Sequence, residues 1–429
     1  MSNSELAILF FLQLAVILAV CRLVGFLAQK IGQPQVVGEM IAGVLLGPSL
    51  LGLLWPGWQH HLFPTGPSMA ILYACSQVGL TLYMFLIGVE FDTNLIRQRV
   101  RSAVSVSLAG ILTPLLLGSL LALFLVGQTG FFSKEVVPWE AMLFMGAAIA
   151  VTAFPMLARI IFERGLAGTS LGTLALAAGS IDDAISWCIL AIVVAVFKQN
   201  MWIAFFAVGG GILYAVITLI VGKRLLSRLG TIAERQEGIS GAMLAFVLML
   251  VMFCGWLTDT IGIYAIFGGF ILGVAMPRGF FAKRLVSMME PLVTNFLLPL
   301  FFIYSGLNTR IGLVNTWLLW GITLLVLLIA IFGKGVACWL AARLNGESNR
   351  EALAIGSLMN ARGLMELILL NIGLQQGIIT PTLFTMLVLM AIITTLLASP
   401  LFEFVYGRYR TATASAEQIT ATKTTEVSS

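Results

Sequence analysis

The chain has 429 residues, of which 59% are hydrophobic and 10% charged, and its mean hydropathy is +1.02. Soluble domains contain about 25% charged and about 45–50% apolar residues, so this composition excludes a soluble enzyme. The net charge of +5 does not indicate nucleic-acid binding, because most basic residues lie in short loops between long apolar runs. The sequence predicts an all-α, multi-pass protein of the lipid bilayer.

Apolar runs that are long enough for a membrane-spanning helix, which needs about 20 residues, occur thirteen times along the chain. The predicted spans are 6–28, 35–54, 68–89, 102–126, 139–159, 171–197, 202–222, 240–257, 262–277, 287–306, 315–342, 351–374 and 381–406. The ninth is short, and Gly268, Gly269 and Gly273 predict that it is interrupted. All five cysteines lie within these runs, and neither a disulfide nor a metal site is expected.

The basic residues predict how the spans are oriented. Eighteen of the 24 lie in loops on one side of the membrane, three lie on the other side, and three lie within spans. Because basic loops remain in the cytoplasm, the amino terminus is expected outside and the carboxyl terminus inside a cell (inner) membrane. Residues 1–409 are predicted to form the transmembrane domain, and the polar residues 410–429 a disordered tail.

Ionisable residues are rare within the spans and mark the predicted site. Asp182 and Asp183 lie in the sixth span, Lys334 in the eleventh, and Arg362 and Glu366 in the twelfth. An ionisable residue in mid-membrane costs at least about 2.5–3.5 kcal/mol on insertion scales, and such residues are usually functional.

Two adjacent carboxylates in a low dielectric repel each other, so one of them readily takes up a proton. A dehydrated alkali cation also requires oxygen ligands and a compensating negative charge. Asp182 and Asp183 would therefore bind either a cation or protons, which is the minimum basis of an antiporter. A purely structural charge cluster is the alternative. Lys334 is expected to pair with one of the two carboxylates.

Two spans contain helix-breaking segments at corresponding positions. Thr152 and Pro155 lie at the centre of the fifth span, and Asn360 and Arg362 at the centre of the twelfth. Proline removes an amide donor and crowds the preceding turn. Broken helices that cross the membrane in opposite directions indicate an inverted-repeat transporter. The repeats are spans 4–6 and 11–13, which gives core helices at about 102–197 and 315–406, with the remaining helices forming a scaffold.

Arg362 has two possible roles. It could pair with Glu366, four residues further along the same helix. Alternatively, it could neutralise the carbonyl dipoles of an interrupted helix, together with Glu366.

Several segments make the chain similar to the monovalent cation:proton antiporter-2 family. They are 33–39 (QPQVVGE), 42–49 (AGVLLGPS), 85–92 (FLIGVEFD), 152–159 (TAFPMLAR) and 359–367 (MNARGLMEL). The last two resemble the plant cation/H+ exchanger branch most. The resemblance implies the fold of bacterial sodium/proton antiporters, a homodimer, and a core that moves against a dimerisation scaffold in an elevator motion.

By position, Asp183 resembles the family's essential cation- and proton-binding carboxylate. Asp182 resembles the neighbour that pairs with a lysine in electrogenic members, here matched by Lys334. This implies that two protons are exchanged for each cation. Potassium-efflux relatives have a glutamate in place of Gln77 and a nucleotide-binding domain for which this sequence has no counterpart.

The predicted function is exchange of K+ or Na+ for H+ without a cofactor. Alternatives are an inverted-repeat symporter of an organic solute and a cation channel-like efflux protein. The first would require more polar groups than the broken spans provide, and no selectivity-filter sequence supports the second. No hydrolase motif occurs in a plausible setting, so enzymatic activity is not expected.

Overall fold

The computed structural model describes residues 2–407, apart from 32, 34, 92, 129, 167–168, 198–200 and 308–310. The predicted tail 410–429 and the side chain of Pro155 lie outside the described residues. The helices are α1 (Asn3–Lys30), α2 (Gln35–Leu46), α3 (Leu51–Leu54), α4 (Pro56–Leu62), α5 (Pro67–Glu90), α6 (Thr93–Leu125), α7 (Pro138–Ala150), α8 (Phe154–Glu163), α9 (Ser170–Phe197), α10 (Met201–Ile217), α11 (Lys223–Arg235), α12 (Gly241–Ile261), α13 (Ala265–Ala275), α14 (Phe280–Leu292), α15 (Leu298–Leu307), α16 (Trp317–Leu344), α17 (Asn349–Leu358), α18 (Leu364–Gln375) and α19 (Pro381–Phe402).

The predicted all-helical, multi-pass membrane architecture is confirmed. Within the described residues, ten helical stretches are long and apolar enough to cross a membrane. Each predicted span coincides with at least one helix. The number thirteen stays a prediction, because the fifth, ninth and twelfth spans consist of helices of 10 to 13 residues, and a crossing requires about 20.

The ninth span differs from the prediction. Helix α13 continues through Gly268, Gly269 and Gly273 without interruption. These glycines allow close packing instead, since a Cβ atom on Gly273 would lie 2.2 Å from the carbonyl oxygen of Phe85 on α5. Helix α6 also differs, because it begins well before residue 102 and is kinked at Arg99, whose φ and ψ are −124° and 15°.

Two parts of the chain repeat the same order of elements. Each has a long helix, then two short helices joined by a non-helical segment, then another long helix. The first part consists of α6, α7, α8 and α9, and the second of α16, α17, α18 and α19. The leading helices α6 and α16 pack against each other, and a Cβ atom on Gly110 of α6 would lie 2.6 Å from Sγ of Cys338 on α16.

The other helices pack mainly among themselves. Helix α5 lies against α13, and α2 lies between α1 and α15. Helices α2 and α15 approach at backbone distance, because a Cβ atom on Gly306 would meet the carbonyl carbon of Gly43 at 2.2 Å. The division into a moving core and a scaffold stays a prediction.

Candidate functional site

The two non-helical segments, 151–153 and 361–363, lie side by side at the centre of the two repeats. The amide of Ala153 donates a hydrogen bond to the carbonyl oxygen of Ala361, 3.2 Å away. Pro155 is the second residue of α8, where a missing amide is tolerated, and it prevents α7 from continuing into α8. The carboxyl ends of α7 and α17 and the amino ends of α8 and α18 therefore meet at one place. There, the last carbonyls of α7 and α17 and the first amides of α8 and α18 have no hydrogen-bond partner within their own helices.

Asp182 is fully buried beside this crossing and has three polar partners, two on helices and one in the non-helical segment 151–153. Its Oδ1 accepts a hydrogen bond from Oγ of Ser107 at 2.5 Å. Its Oδ2 accepts one from Oγ1 of Thr152 at 2.7 Å and lies 3.0 Å from Nζ of Lys334. These partners offset the cost of burying a polar group away from water.

Lys334 joins the two repeats at this carboxylate. Its side chain is fully buried, and its ammonium donates a hydrogen bond to the carbonyl oxygen of Ala150 at 2.5 Å. Ala150 is the last residue of α7, so the ammonium also lies at the negative end of that helix dipole. The structure places Lys334 against Asp182, the pairing that the sequence predicts with one of the two carboxylates.

Asp183 lies next to this ion pair on α9 and is 7% exposed, whereas Asp182 is 0% exposed. Successive residues of a helix point about 100° apart, so the two carboxylates face different surroundings. Nearby on the same helix, Oγ of Ser180 donates to the carbonyl oxygen of Ala177 at 2.9 Å. That hydroxyl is therefore engaged within its own helix.

Arg362 is fully buried at the crossing and contacts the end of α7. Its Nη1 donates to the carbonyl oxygens of Ala148 at 3.4 Å and Val151 at 3.2 Å. The same atom lies 3.8 Å from Oε2 of Glu366, a residue in the first turn of α18. A guanidinium thus lies at a helix C-terminus and a carboxyl group near a helix N-terminus. Arg362 thus lies near Glu366 and also contacts the carbonyls at the end of α7, which are the two roles that the sequence left open.

Asn360 has a local role in the structure. Its Nδ2 donates to the carbonyl oxygens of Gly356 at 3.1 Å and Ile331 at 3.4 Å. It therefore connects the end of α17 to α16 instead of contacting the Asp182 carboxylate. The predicted broken-helix residues are thus brought together, but they serve different contacts.

Sequence reasoning missed two hydroxyl groups of this site. Ser107 on α6 bonds to Asp182, and Oγ1 of Thr395 on α19 accepts from the amide of Arg362 at 2.9 Å. Both are fully buried or nearly so. A lone serine or threonine in an apolar span usually bonds to its own helix, so the sequence carried no signal that marked either hydroxyl.

Comparison with known proteins shows the family of the chain. The transmembrane sodium/hydrogen exchanger family model matches residues 15–406. The chain belongs to the sodium/hydrogen exchanger family. Its relatives include the Na+/H+ antiporter NhaS4 from Synechocystis, with 42% identity over 94% of this chain and 98% of that protein. The cation/H+ antiporter 17 from Arabidopsis thaliana is 35% identical over 93% of this chain, but over only 48% of its own length.

The fold matches a solved antiporter structure as well. The sodium proton antiporter MjNhaP1 from Methanocaldococcus jannaschii superimposes with a TM-score of 0.66 over 93% of this chain and 96% of that one. Sequence identity is 18%, so this similarity establishes the fold.

Proposed function

We propose that the chain exchanges a monovalent cation, Na+ or K+, for protons across the membrane. Membership of the exchanger family supports the reaction class. The observation that carries the proposal is a buried Asp182–Lys334 ion pair beside a second buried carboxylate, Asp183, at the crossing of two broken helices. Ionisable groups within a membrane are costly, and those that occur there usually serve a function such as transport.

Asp183 is the proposed cation- and proton-binding group. A partly dehydrated cation gains charge compensation from its carboxylate, and protonation removes that charge, so the two ligands exclude each other. Asp182 is fully buried and already contacts Ser107, Thr152 and Lys334. Asp183 is the more exposed of the two carboxylates.

The Asp182–Lys334 pair is proposed to couple a second proton to each cation. A cation that draws Asp182 toward itself weakens the pair, and an ammonium that loses its partner in a low dielectric tends to release its proton. Such an exchange moves net charge and responds to membrane potential. Arg362 is proposed to hold the end of α7 in place while these charges change.

Transport is proposed to occur by alternating access, with core helices at about 102–197 and 315–406 moving against a scaffold. We further propose a homodimer in a cell (inner) membrane, with the amino terminus outside and the carboxyl terminus in the cytoplasm. The basic loops support this orientation. Alkaline phosphatase fused after residue 407 tests it, because that enzyme would be active only if the carboxyl terminus were outside.

The exchange reaction is tested in proteoliposomes that contain the whole chain, a ΔpH-sensitive dye and an imposed proton gradient. Addition of Na+, K+ or Li+ should dissipate the gradient with at least one of these ions, and Asp183→Asn should abolish the response. Lys334→Gln should remove its dependence on membrane potential. No response to any of the three ions at several pH values would contradict the proposal.

A further inference from the structure

An apolar cavity of about 140 Å³ lies between α9, α10 and the beginning of α13. Its lining includes Ala184, Cys188, Ala207, Gly211 and Phe267, and it contains no charged side chain. Ala184 directly follows Asp183 in the sequence. The cavity thus lies beside the helix that carries both aspartates, at the boundary between the predicted core and scaffold.

Small side chains line this cavity, and its wall includes a residue on the exposed face of α10. Alanine and glycine on α9 and α10 leave space that larger apolar residues would fill. Ile212 lines the cavity and is 61% exposed on the outer face of α10, where Trp202 and Phe205 are also exposed. A helix face of this composition is in contact with lipid hydrocarbon.

We propose that this cavity binds an acyl chain of a membrane lipid. An apolar cavity without polar partners does not retain water, and an engineered cavity of about 150 Å³ binds benzene, so the volume suits hydrocarbon. Contact with the lining also gains dispersion attraction that an empty cavity lacks. Because the lining is apolar and Ile212 connects it to the exposed face of α10, the cavity would take the acyl chain while the headgroup stays outside.

The position of this site gives it a consequence for exchange, which rests on the proposed function. The acyl chain would lie between α9, which carries Asp182 and Asp183, and helices α10 and α13 of the predicted scaffold. Movement of the core past the scaffold must displace or release the acyl chain. Acyl-chain binding therefore regulates how readily the site of Asp182 and Asp183 switches from facing one side of the membrane to facing the other.

Photo-crosslinking tests the binding directly. The full chain is reconstituted with phosphatidylglycerol that carries a diazirine in one acyl chain, irradiated, and mapped by mass spectrometry. Crosslinks are expected at Cys188 within the cavity and at Leu213, which is 60% exposed on α10 outside it. Ala207→Leu should reduce the Cys188 crosslink at least fivefold and leave the Leu213 crosslink unchanged.

A matched control uses the same helix. A Cβ atom on Gly209 would have no heavy atom within 4 Å, and Gly209 does not line the cavity, so Gly209→Ala should keep both crosslinks. If Ala207→Leu fails to fold, Ala215→Leu on the same wall provides the test.

Crosslinks at Leu213 without any at Cys188 in the wild-type chain would overturn the inference, as would a Cys188 crosslink unaffected by the filling variants. Crosslinking does not require exchange. A chain that crosslinks at Cys188 but exchanges no cation would therefore refute the proposed function and leave acyl-chain binding established.

Discussion

The buried ion pair between Asp182 and Lys334 gives the sharpest stability prediction. Removing one partner of a buried pair leaves a charge uncompensated, which costs about 3–5 kcal/mol. In Lys334→Gln, Asp182 keeps its hydrogen bonds from Ser107 and Thr152, so we expect a loss near the lower end, about 3 kcal/mol. In Asp182→Asn, the Lys334 ammonium keeps only the carbonyl of Ala150 among its described contacts, so we expect about 5 kcal/mol.

A double-mutant cycle isolates the pair. The variant that combines Asp182→Asn with Lys334→Gln contains neither charge, so it should lose less stability than Asp182→Asn alone. The free energy of unfolding is measured by urea titration of the purified chain in mild detergent, followed by tryptophan fluorescence. A double variant whose loss equals the sum of the two single losses would refute the reasoning, because the two side chains would then contribute independently.

Three further predictions concern Arg362, Ser107 and the close helix contact at Gly306. Arg362→Ala should reduce exchange at least tenfold while leaving cation binding at Asp183 detectable by calorimetry, because the guanidinium supports the end of α7; unchanged exchange would contradict this role. Ser107→Ala should destabilise the chain by about 1.5–3 kcal/mol, the range for a hydrogen bond to a charged group, and Ser107→Thr should restore most of it in urea unfolding. Gly306→Ala should destabilise the chain by about 2 kcal/mol or more, because its Cβ atom would collide with backbone, whereas Gly321→Ala in α16, where nothing lies within 4 Å, should be neutral or slightly stabilising.

Much of the fold follows from residue patterns that local physics determines. Long apolar runs have to form helices in a bilayer, because lipid offers no partner for a backbone amide. Pro155 predicts the break between α7 and α8 for an equally local reason. The helix ends were less predictable: α6 begins at Thr93, before the predicted span, and is kinked at Arg99, and hydropathy records neither the earlier start nor the kink.

The contacts between distant residues were harder to predict. The residue pattern alone indicated that Lys334 pairs with an aspartate but not which one, since that depends on how α9 is rotated relative to α16; the family resemblance implied Asp182. Ser107 was missed because its partner is 75 positions away, and a single hydroxyl in an apolar span carries no pattern. The glycines of α13 predicted an interruption, but glycine also serves close packing, and only the neighbouring α5 decides between the two.

Competition between cation and proton for Asp183 is the central claim, and proton release on cation binding tests it most directly. The purified chain is titrated with Na+ or K+ in weakly buffered solution while a pH indicator reports the protons released. Because binding of one ligand must displace the other, the account predicts about two protons per cation for the wild type and about one for Lys334→Gln. Asp183→Asn should bind no cation and release no proton. A cation that binds the wild-type chain without releasing protons would contradict the account.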